Sequence, residues 1–427
     1  MVRASSAKGS AFVTDALLRK SVVVCQSLGR RGVNVSAGST TRLSPAFFSR
    51  YCRESVVYPS PRTQPGAFVD RLLEYLRRQP HDVLLPTDDA TLTAVSAHRT
   101  DFEQLTRVPI PNAPQLAYGL DKARVMQLAE QLGIPHPKTL LPTRADDAAD
   151  LARHVTGSLV IKPRSSSGGR GIAYLGPDDN VAHTWTQVHA QHPFPMVQAC
   201  IPAGPKFDVG VLMDARGHAV ASFVQKELRH FPMRDGLSTM QESVWRPDLV
   251  ERAVTLLQTI GWYGLAEVEF MEDPRTGEAL LLEVNPRFWA SIQLAVACGV
   301  NFPFLLYQLA TGQRFRDTHK YAIGRRCRWL IPGDCLHFLV NPQRLRLDPP
   351  FFQFRPGPSR TETVYDGFYP EDRRATLGLL LSTAHYLFDA DVWTMLLRRG
   401  ERAGAPVLGR AALGNRIPDM LRSREAA

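Results

Sequence analysis

The stretch "LLLEVNPRFWAS", Leu280 to Ser291, begins as an apolar strand and then carries Glu283, Asn285 and Arg287 at alternate positions. Alternate residues of an extended chain share one face, so a carboxylate, an amide and a guanidinium line up together. Just upstream, "LAEVEFME" and "ALLLEVNP" flank the turn "DPRTG", and two strand-like runs joined by such a turn read as a hairpin. The pairing puts Glu269 beside Glu283, with Asn285 one step along. Two carboxylates side by side repel, and one is driven to hold its proton unless a cation intervenes. Carboxylate and amide oxygens suit Mg²⁺ (or Mn²⁺), and Mg²⁺ commonly bridges to substrate phosphates. Glu267 is placed to take part, whereas Glu278 belongs to the turn. A solvated edge strand with incidental acids is the plainer reading. Against it, Phe270, Leu281, Leu282 and Val284 mark both strands as half buried.

A second candidate is "SLVIKPRSSSGGRGIAYL", Ser158 to Leu175, where an apolar strand ending in Lys162 runs into a Ser/Gly loop and returns as "GIAYL". Gly168, Gly169 and Gly171 allow backbone N–H groups to approach phosphate oxygens, and Lys162, Arg164 and Arg170 add positive charge. The spacing is not that of a P-loop, and a strand rather than a helix follows. A surface hairpin is the alternative, but a lysine inside an apolar strand is costly without a partner.

The elements that must position these groups fall into three regions. Residues 1–110 alternate short apolar strands ("AFVTD", "VNVSAGS", "DVLLPTDD") with helical patterns, the rhythm of an open parallel sheet. Thr14, Asp15, Thr87, Asp88 and Asp89 fall at strand ends, where such sheets bind ligands. Capping of the following helices is the alternative, at least as good for Asp15. Residues 111–312 start with a helix capped by Asp121 and stopped by Gly133, then change to antiparallel strands with interposed helices. Residues 313–427 read as a basic, partly helical extension with a strand "RCRWLI".

Composition sets the class. In 427 residues, 44% are apolar and 22% charged, ordinary values for a globular protein. The net charge of +10 is concentrated in the last region, which has 19 Lys/Arg against 12 Asp/Glu. Those arginines are dispersed, with no aromatic-interleaved recognition module, so no specific nucleic-acid partner is expected. Six scattered cysteines without a CxxC pair fit a reducing compartment. No run approaches the roughly 20 apolar residues of a membrane span, and the N-terminus lacks a secretory h-region. The best apolar run, Leu377 to Phe388, reads as a buried or amphipathic helix. A cytoplasmic location is expected.

Four segments, "DKARVMQLAEQLGIPHPKT", "LVIKPRSSSGGRGIAYL", "PMVQACIPAGPKFDVGVLMD" and "AEVEF…LLEVNPR", occur in the order found in the ATP-grasp superfamily. Over roughly Phe12 to Gly312 the chain most resembles its carbamoyl-phosphate-synthase-like branch of carboxylate–amine ligases. The resemblance implies an α/β and α+β architecture, an ATP-grasp fold with an N-terminal Rossmann-like parallel-sheet domain. It assigns Lys122 and Lys162 to the phosphates of ATP, and Ser167, Gly168, Gly169, Arg170 and Gly171 to a loop closing over them. Gln198, Ala199, Cys200 and Ile201 match the hinge that packs on adenine. Ala199 departs from the acidic residue many relatives carry there, so the ribose contact passes to Gln198 or Asp208. Glu269, Glu283 and Asn285 match Mg²⁺ ligands, and Arg287, with Lys162, the catalytic cations at the transferred phosphoryl and acyl groups.

The implied reaction joins a carboxylate to an amine through an acyl phosphate, releasing ADP and phosphate. Bicarbonate use of the carboxylase kind is the alternative, although the sequence has neither a second such module nor a biotin-carrying lysine between methionines. A non-catalytic nucleotide-binding module is a further one. Between the hinge and the hairpin, Lys226, Arg229 and Arg234 are candidates for an acceptor carboxylate, while His230 reads as a hydrogen-bonded loop histidine. Trp289 and Ser291 begin a packing helix near the site. Partners are expected to be small-molecule carboxylates and amines, and a homodimer is left open.

Overall fold

The computed structural model describes residues 9–383, apart from 156, 167–170, 235 and 354–361. The N-terminal region forms a four-stranded parallel sheet in the spatial order Cys52–Val57, Asn34–Ser39, Ser10–Val13, Val83–Leu85. Period-two alternation decides its two cores. Ala11 and Val13 face one way, against helix Arg19–Arg30, and Phe12 faces the other, toward helix Pro65–Arg78. The parallel-sheet expectation is borne out.

Two further sheets follow. A small antiparallel sheet holds Thr139–Leu140, Met196–Ala199, Leu159–Lys162 and Ala173–Leu175 in that order. Helices Ala145–Ala152 and Val181–Gln191 cover one side of it. The large sheet has seven strands, in the order Ala279–Asn285, Gly264–Glu272, Lys206–Met213, Ala219–Phe231, Leu237–Ser243, Arg326–Arg328 and Thr363–Tyr365. All its neighbours are antiparallel except the last pair. Its apolar face (Phe207, Val209, Val268, Phe270, Val284) packs on helices Pro247–Ile260 and Lys122–Gln131.

The segment beyond 312, expected to be an extension, is in its described part woven into this sheet. Arg326–Arg328 pairs with Leu237–Ser243 and covers an edge that would otherwise leave backbone groups unpaired. Of the apolar run after Leu377, the described part belongs to helix Arg373–Thr383 and the rest lies outside the described residues. No helix among the described residues is long and apolar enough to cross a membrane.

Candidate functional site

Three strand pairings build the site. Gln225 is opposite Asp208, Asp208 opposite Glu269, and Glu269 opposite Glu283. The face of the large sheet away from its helices therefore carries one continuous polar row across four strands. One step along lie Gly210, Glu267 and Asn285, again in register. The hairpin expectation for Glu269, Glu283 and Asn285 matches this geometry.

Oxygens of Asp208, Glu267 and Glu269 all lie within 4.8 Å of one another. Asn285 Nδ2 donates to Glu269 Oε1 (2.7 Å), Glu267 Oε2 (3.2 Å) and Glu283 Oε1 (3.3 Å). An amide N–H₂ has two hydrogens for those three acids, so it stands in for a cation without satisfying the cluster. Burial pushes Asp208, Glu267 and Glu269 well above the usual carboxylate range, and their acidic neighbours add to it: Glu227 for Asp208, Glu269 for Glu267, Glu283 for Glu269. Burial also acts to raise Glu283, but Lys122, Lys162 and Arg287 outweigh it and hold that carboxyl low. Gln225 Nε2 donates to Asp208 Oδ2 (2.7 Å) and to Ser291 Oγ (2.5 Å), while its own Oε1 is buried without a partner. Hard oxygen donors in mutual conflict, beside an orphaned amide oxygen, fit a divalent cation.

The fit has a thermodynamic consequence. Carboxyls whose folded pKa is raised stabilise the fold fully only below their unfolded values, about 4, and that contribution is lost as pH rises through the folded values. We therefore expect the thermal midpoint in EDTA to fall as pH rises above about 4, the unfolded carboxyl value, and millimolar Mg²⁺ to restore it at the upper end. Glu283, held low, does not titrate in that window. Glu267→Gln should flatten the EDTA profile; a wild-type profile already flat in EDTA, or unmoved by Mg²⁺, would rule out this cation site.

Lys122 joins this row to the Gly-rich hairpin. It opens helix Lys122–Gln131, capped by Asp121, whose carboxylate accepts from Ala123 N at 3.0 Å. Its Nζ pairs with Glu283 Oε2 at 3.0 Å and also donates to the carbonyl of Ser166. Arg164 forks onto Asp121, and Ser165 Oγ bonds the Leu120 carbonyl at 2.9 Å. The near side of the loop is thus tied to the helix start. Ser167, Gly168, Gly169 and Arg170 lie outside the described residues; Gly171 has φ of 75°, which a side chain would strain. Lys162 ends the strand Leu159–Lys162, near enough to act on Glu283.

In the hinge, Gln198 is 1% exposed and donates to Thr139 Oγ1 at 2.8 Å, and its Oε1 is a second buried acceptor without a partner. Ala199 ends the strand, and Cys200 N bonds the Ser158 carbonyl at 2.9 Å; Ile201 is half buried. Asp208, expected near the ribose, lies instead among the acids, because its strand runs beside Gly264–Glu272.

The substrate candidates divide. Arg229 is 2% exposed, donates to Asp334 Oδ2 (2.7 Å) and also bonds the Pro349 carbonyl, so it belongs to a buried ionic cluster rather than to a substrate surface. Lys226 alternates with Gln225 and so points away from the acid row; its cross-strand partners are Phe207 and Glu242. Arg234 stacks on Tyr174, 3.3 Å from the ring centroid, and spans from the large sheet to the Gly-rich hairpin. His230 pairs with Glu227 at 2.6 Å. Trp289 is a packing residue: a side chain at Gly210 would meet its ring at 2.3 Å.

Arg287 holds the boundary with the parallel-sheet domain. Its Nε donates to Asp89 Oδ1 (2.6 Å) and its Nη2 to Asn285 Oδ1 (3.4 Å). Nearby, Asp15 sits at φ 55° and accepts from Thr14 (2.5 Å), Thr91 (2.7 Å), Thr87 (3.2 Å) and the Asp88 N–H (3.1 Å). Asp88 caps helix Asp89–Ala97 and pairs with Arg62 at 2.5 Å. The strand-end residues therefore both cap a helix and border the site. Two open clefts of about 670 and 760 Å³, one beside Phe47 and Arg71 and the other beside His81 and Arg99, are lined by none of these residues.

Residues 207–330 match a family model described as an ATP-grasp in the biosynthetic pathway with Ter operon. The chain is 24% identical over 209 residues to the carbamoyl phosphate synthase large chain of Xylella fastidiosa (strain Temecula1), covering 46% of this chain and 19% of that one. It is 25% identical over 283 residues to the same enzyme of Rubrobacter xylanophilus, covering 62% and 25%. It thus spans about a fifth to a quarter of those relatives. Among solved structures, biotin carboxylase of Campylobacter jejuni in complex with β-γ-ATP superposes with a TM-score of 0.63 at 14% identity, covering 74% of each chain. N5-carboxyaminoimidazole synthetase of Staphylococcus aureus, complexed with ADP, gives 0.59 at 12% identity, covering 74% of this chain and 80% of that one.

Proposed function

We propose that this chain, a member of the ATP-grasp superfamily on its carbamoyl-phosphate-synthase-like branch, is an ATP-dependent ligase that joins a carboxylate to an amine. The observation that carries the reading is the row Asp208–Glu269–Glu283 with Lys122 bridging it to the Gly-rich hairpin. A triphosphate lying along that bridge would meet Lys122 and Lys162, with the hinge and the buried Gln198 at the adenine end. Asp208, Glu267, Glu269, Glu283 and Asn285 would hold Mg²⁺, which supplies neutralising charge at the phosphates; a half-turn of the Asn285 amide would present its oxygen to that cation in place of its N–H₂.

The chemistry needs no covalent enzyme intermediate. A substrate carboxylate oxygen forms a bond to the γ-phosphorus as the bond from that phosphorus to the ADP oxygen breaks. The amine nitrogen then bonds the acyl carbon, phosphate leaves, and the nitrogen gives up a proton. The protein contributes position and fixed charge, with Arg287 at the transferred group. Small-molecule partners and a cytoplasmic location go with this reading.

The test is ADP release from MgATP with carboxylates and amines supplied singly and in pairs. Dependence on both supports the ligase. Release with bicarbonate alone indicates the carboxylase-like reaction, and nucleotide binding without release under any pair indicates a binding module. Once a pair is known, Asp89→Asn is expected to lower turnover about tenfold, since a charge-assisted hydrogen bond contributes about 1.5–3 kcal/mol. The KM for ATP should barely move, because Asp89 touches Arg287 and not the nucleotide cradle. A mutant with unchanged kcat would show that this ion pair only joins the domains.

A further inference from the structure

Beside Arg287 stands a second buried cation, Lys20. Lys20 lies in the first turn of helix Arg19–Arg30, at the carboxyl ends of the parallel strands, and is 6% exposed. Its Nζ donates to the carbonyl oxygen of Phe288 at 3.1 Å, and Arg287 Nη1 reaches the same oxygen at 3.4 Å. Two cations from different domains therefore converge on one neutral acceptor. Like charges so close repel, and burial adds to the cost of keeping the ammonium.

The acids around Lys20 hydrogen-bond to other groups, one of them Arg287. Asp89 is bound to Arg287 Nε, Asp88 to Arg62, and Asp15 to three threonine hydroxyls and a backbone N–H. Among the described residues, the one side-chain hydrogen bond of Lys20 is to the Phe288 carbonyl. The turn that delivers it contains Asp15 in the left-handed region, a strained conformation for a residue other than glycine, pinned by those hydroxyls and by Tyr58 Oη on its N–H (2.8 Å). A strained, fully bonded turn that aims a buried cation at the arginine of the site is costly to keep unless an anion completes it.

We propose that Lys20 is a substrate-binding residue which, with Arg287, clamps the carboxylate to be phosphorylated and then the phosphate that leaves, one cation from each domain. This rests on the ligase reading and places the first substrate's carboxylate at the domain boundary. The positive end of helix Arg19–Arg30 adds to the attraction. Burial, followed by the charge of Arg287, brings Lys20 down to about 8, against the opposing pull of Asp88, Asp89 and Asp15. Anion binding should therefore be full below about pH 8 and fade as pH rises through it.

The probe is inorganic phosphate, titrated calorimetrically with and without MgADP against wild type, Lys20→Met and Lys20→Arg. In wild type with MgADP, phosphate should bind at pH 7 and weaken toward pH 9. Lys20→Met should weaken it by about tenfold or more at pH 7, with MgADP affinity unchanged. Lys20→Arg should recover binding and lose the decline with pH, since arginine stays charged. Equal phosphate affinity in wild type and Lys20→Met overturns the proposal. So does an affinity flat from pH 7 to 9 in wild type, a measurement that needs no variant to fold, and so does absence of phosphate binding by protein that binds MgADP. A wild-type protein that fails to bind MgADP overturns the nucleotide reading instead, and the titration without nucleotide still decides Lys20.

Discussion

Glu269→Gln is expected to cut Mg²⁺-dependent ADP formation by about 10²–10³-fold, the usual cost of removing one preorganised electrostatic group from an active site. The choice follows from register: Glu269 is the only acid in the row with an acid opposite it on both sides, Asp208 on one strand and Glu283 on the other. Glutamine keeps the volume, so Phe270 and Val268 stay packed. It also removes a negative charge from a cluster whose members raise one another's proton affinity, so the apo protein should become no less stable at neutral pH. Loss of turnover with an unchanged or raised thermal midpoint is the signature of a residue kept for function against stability. The Mg²⁺-induced rise in that midpoint should shrink as well. Near wild-type ADP formation would remove Glu269 from the site, and a large fall in midpoint would make it structural.

What was readable in the sequence, and what was not, divides by contact distance along the chain. The hairpin of Gly264–Glu272 and Ala279–Asn285 has a local turn and strict alternation, so the pairing of Glu269 with Glu283 could be read directly. Helix Lys122–Gln131 was readable for the same reason, through Asp121 before it and Gly133 after it. The place of Asp208 in the acid row is not legible, because its neighbours in space are Gln225 on one side and Glu269 on the other, and no local signal states which strand lies beside Lys206–Met213. A charged residue flanked by Phe207 and Val209 was the available hint. The burial of Arg229 is illegible for another reason. The register of Ala219–Phe231 shifts between Glu227 and Arg229, and nothing local in the sequence marks such a shift. Its acid partner, Asp334, stands 105 residues away, in the segment whose sequence reads as an extension.

That cluster carries the larger stability effect, and charge counting decides which residue holds it. Asp334 is 0% exposed and accepts from Arg229 Nη1 (2.7 Å), Arg328 Nε (2.6 Å) and Thr239 Oγ1 (3.1 Å). The two guanidiniums share this one carboxylate, both at 2% side-chain exposure or less, and Arg328 also stacks on Phe351 at 4.4 Å. Burial, only partly opposed by Asp334, lowers the pKa of Arg229 from its ordinary value. Asp334→Asn keeps the shape but strips the shared anion from two buried cations, and it is expected to cost about 3–5 kcal/mol, the range for breaking a buried ion pair from one side. Arg229→Met should cost much less, because Arg328 and Asp334 remain as a neutral pair and the methionine refills most of the volume. Its penalty is the unpaired Pro349 carbonyl, about 1–3 kcal/mol. Urea unfolding of the two variants tests the order, read at midpoint since a chain with several cores need not unfold in one step. ADP-release kinetics supply the second axis: Arg229→Met should leave KM for both substrates near wild type. If it instead raises one substrate's KM about tenfold while Asp334→Asn barely shifts the midpoint, Arg229 turns toward substrate in the working enzyme, and the buried cluster is not what holds the far side of the large sheet together.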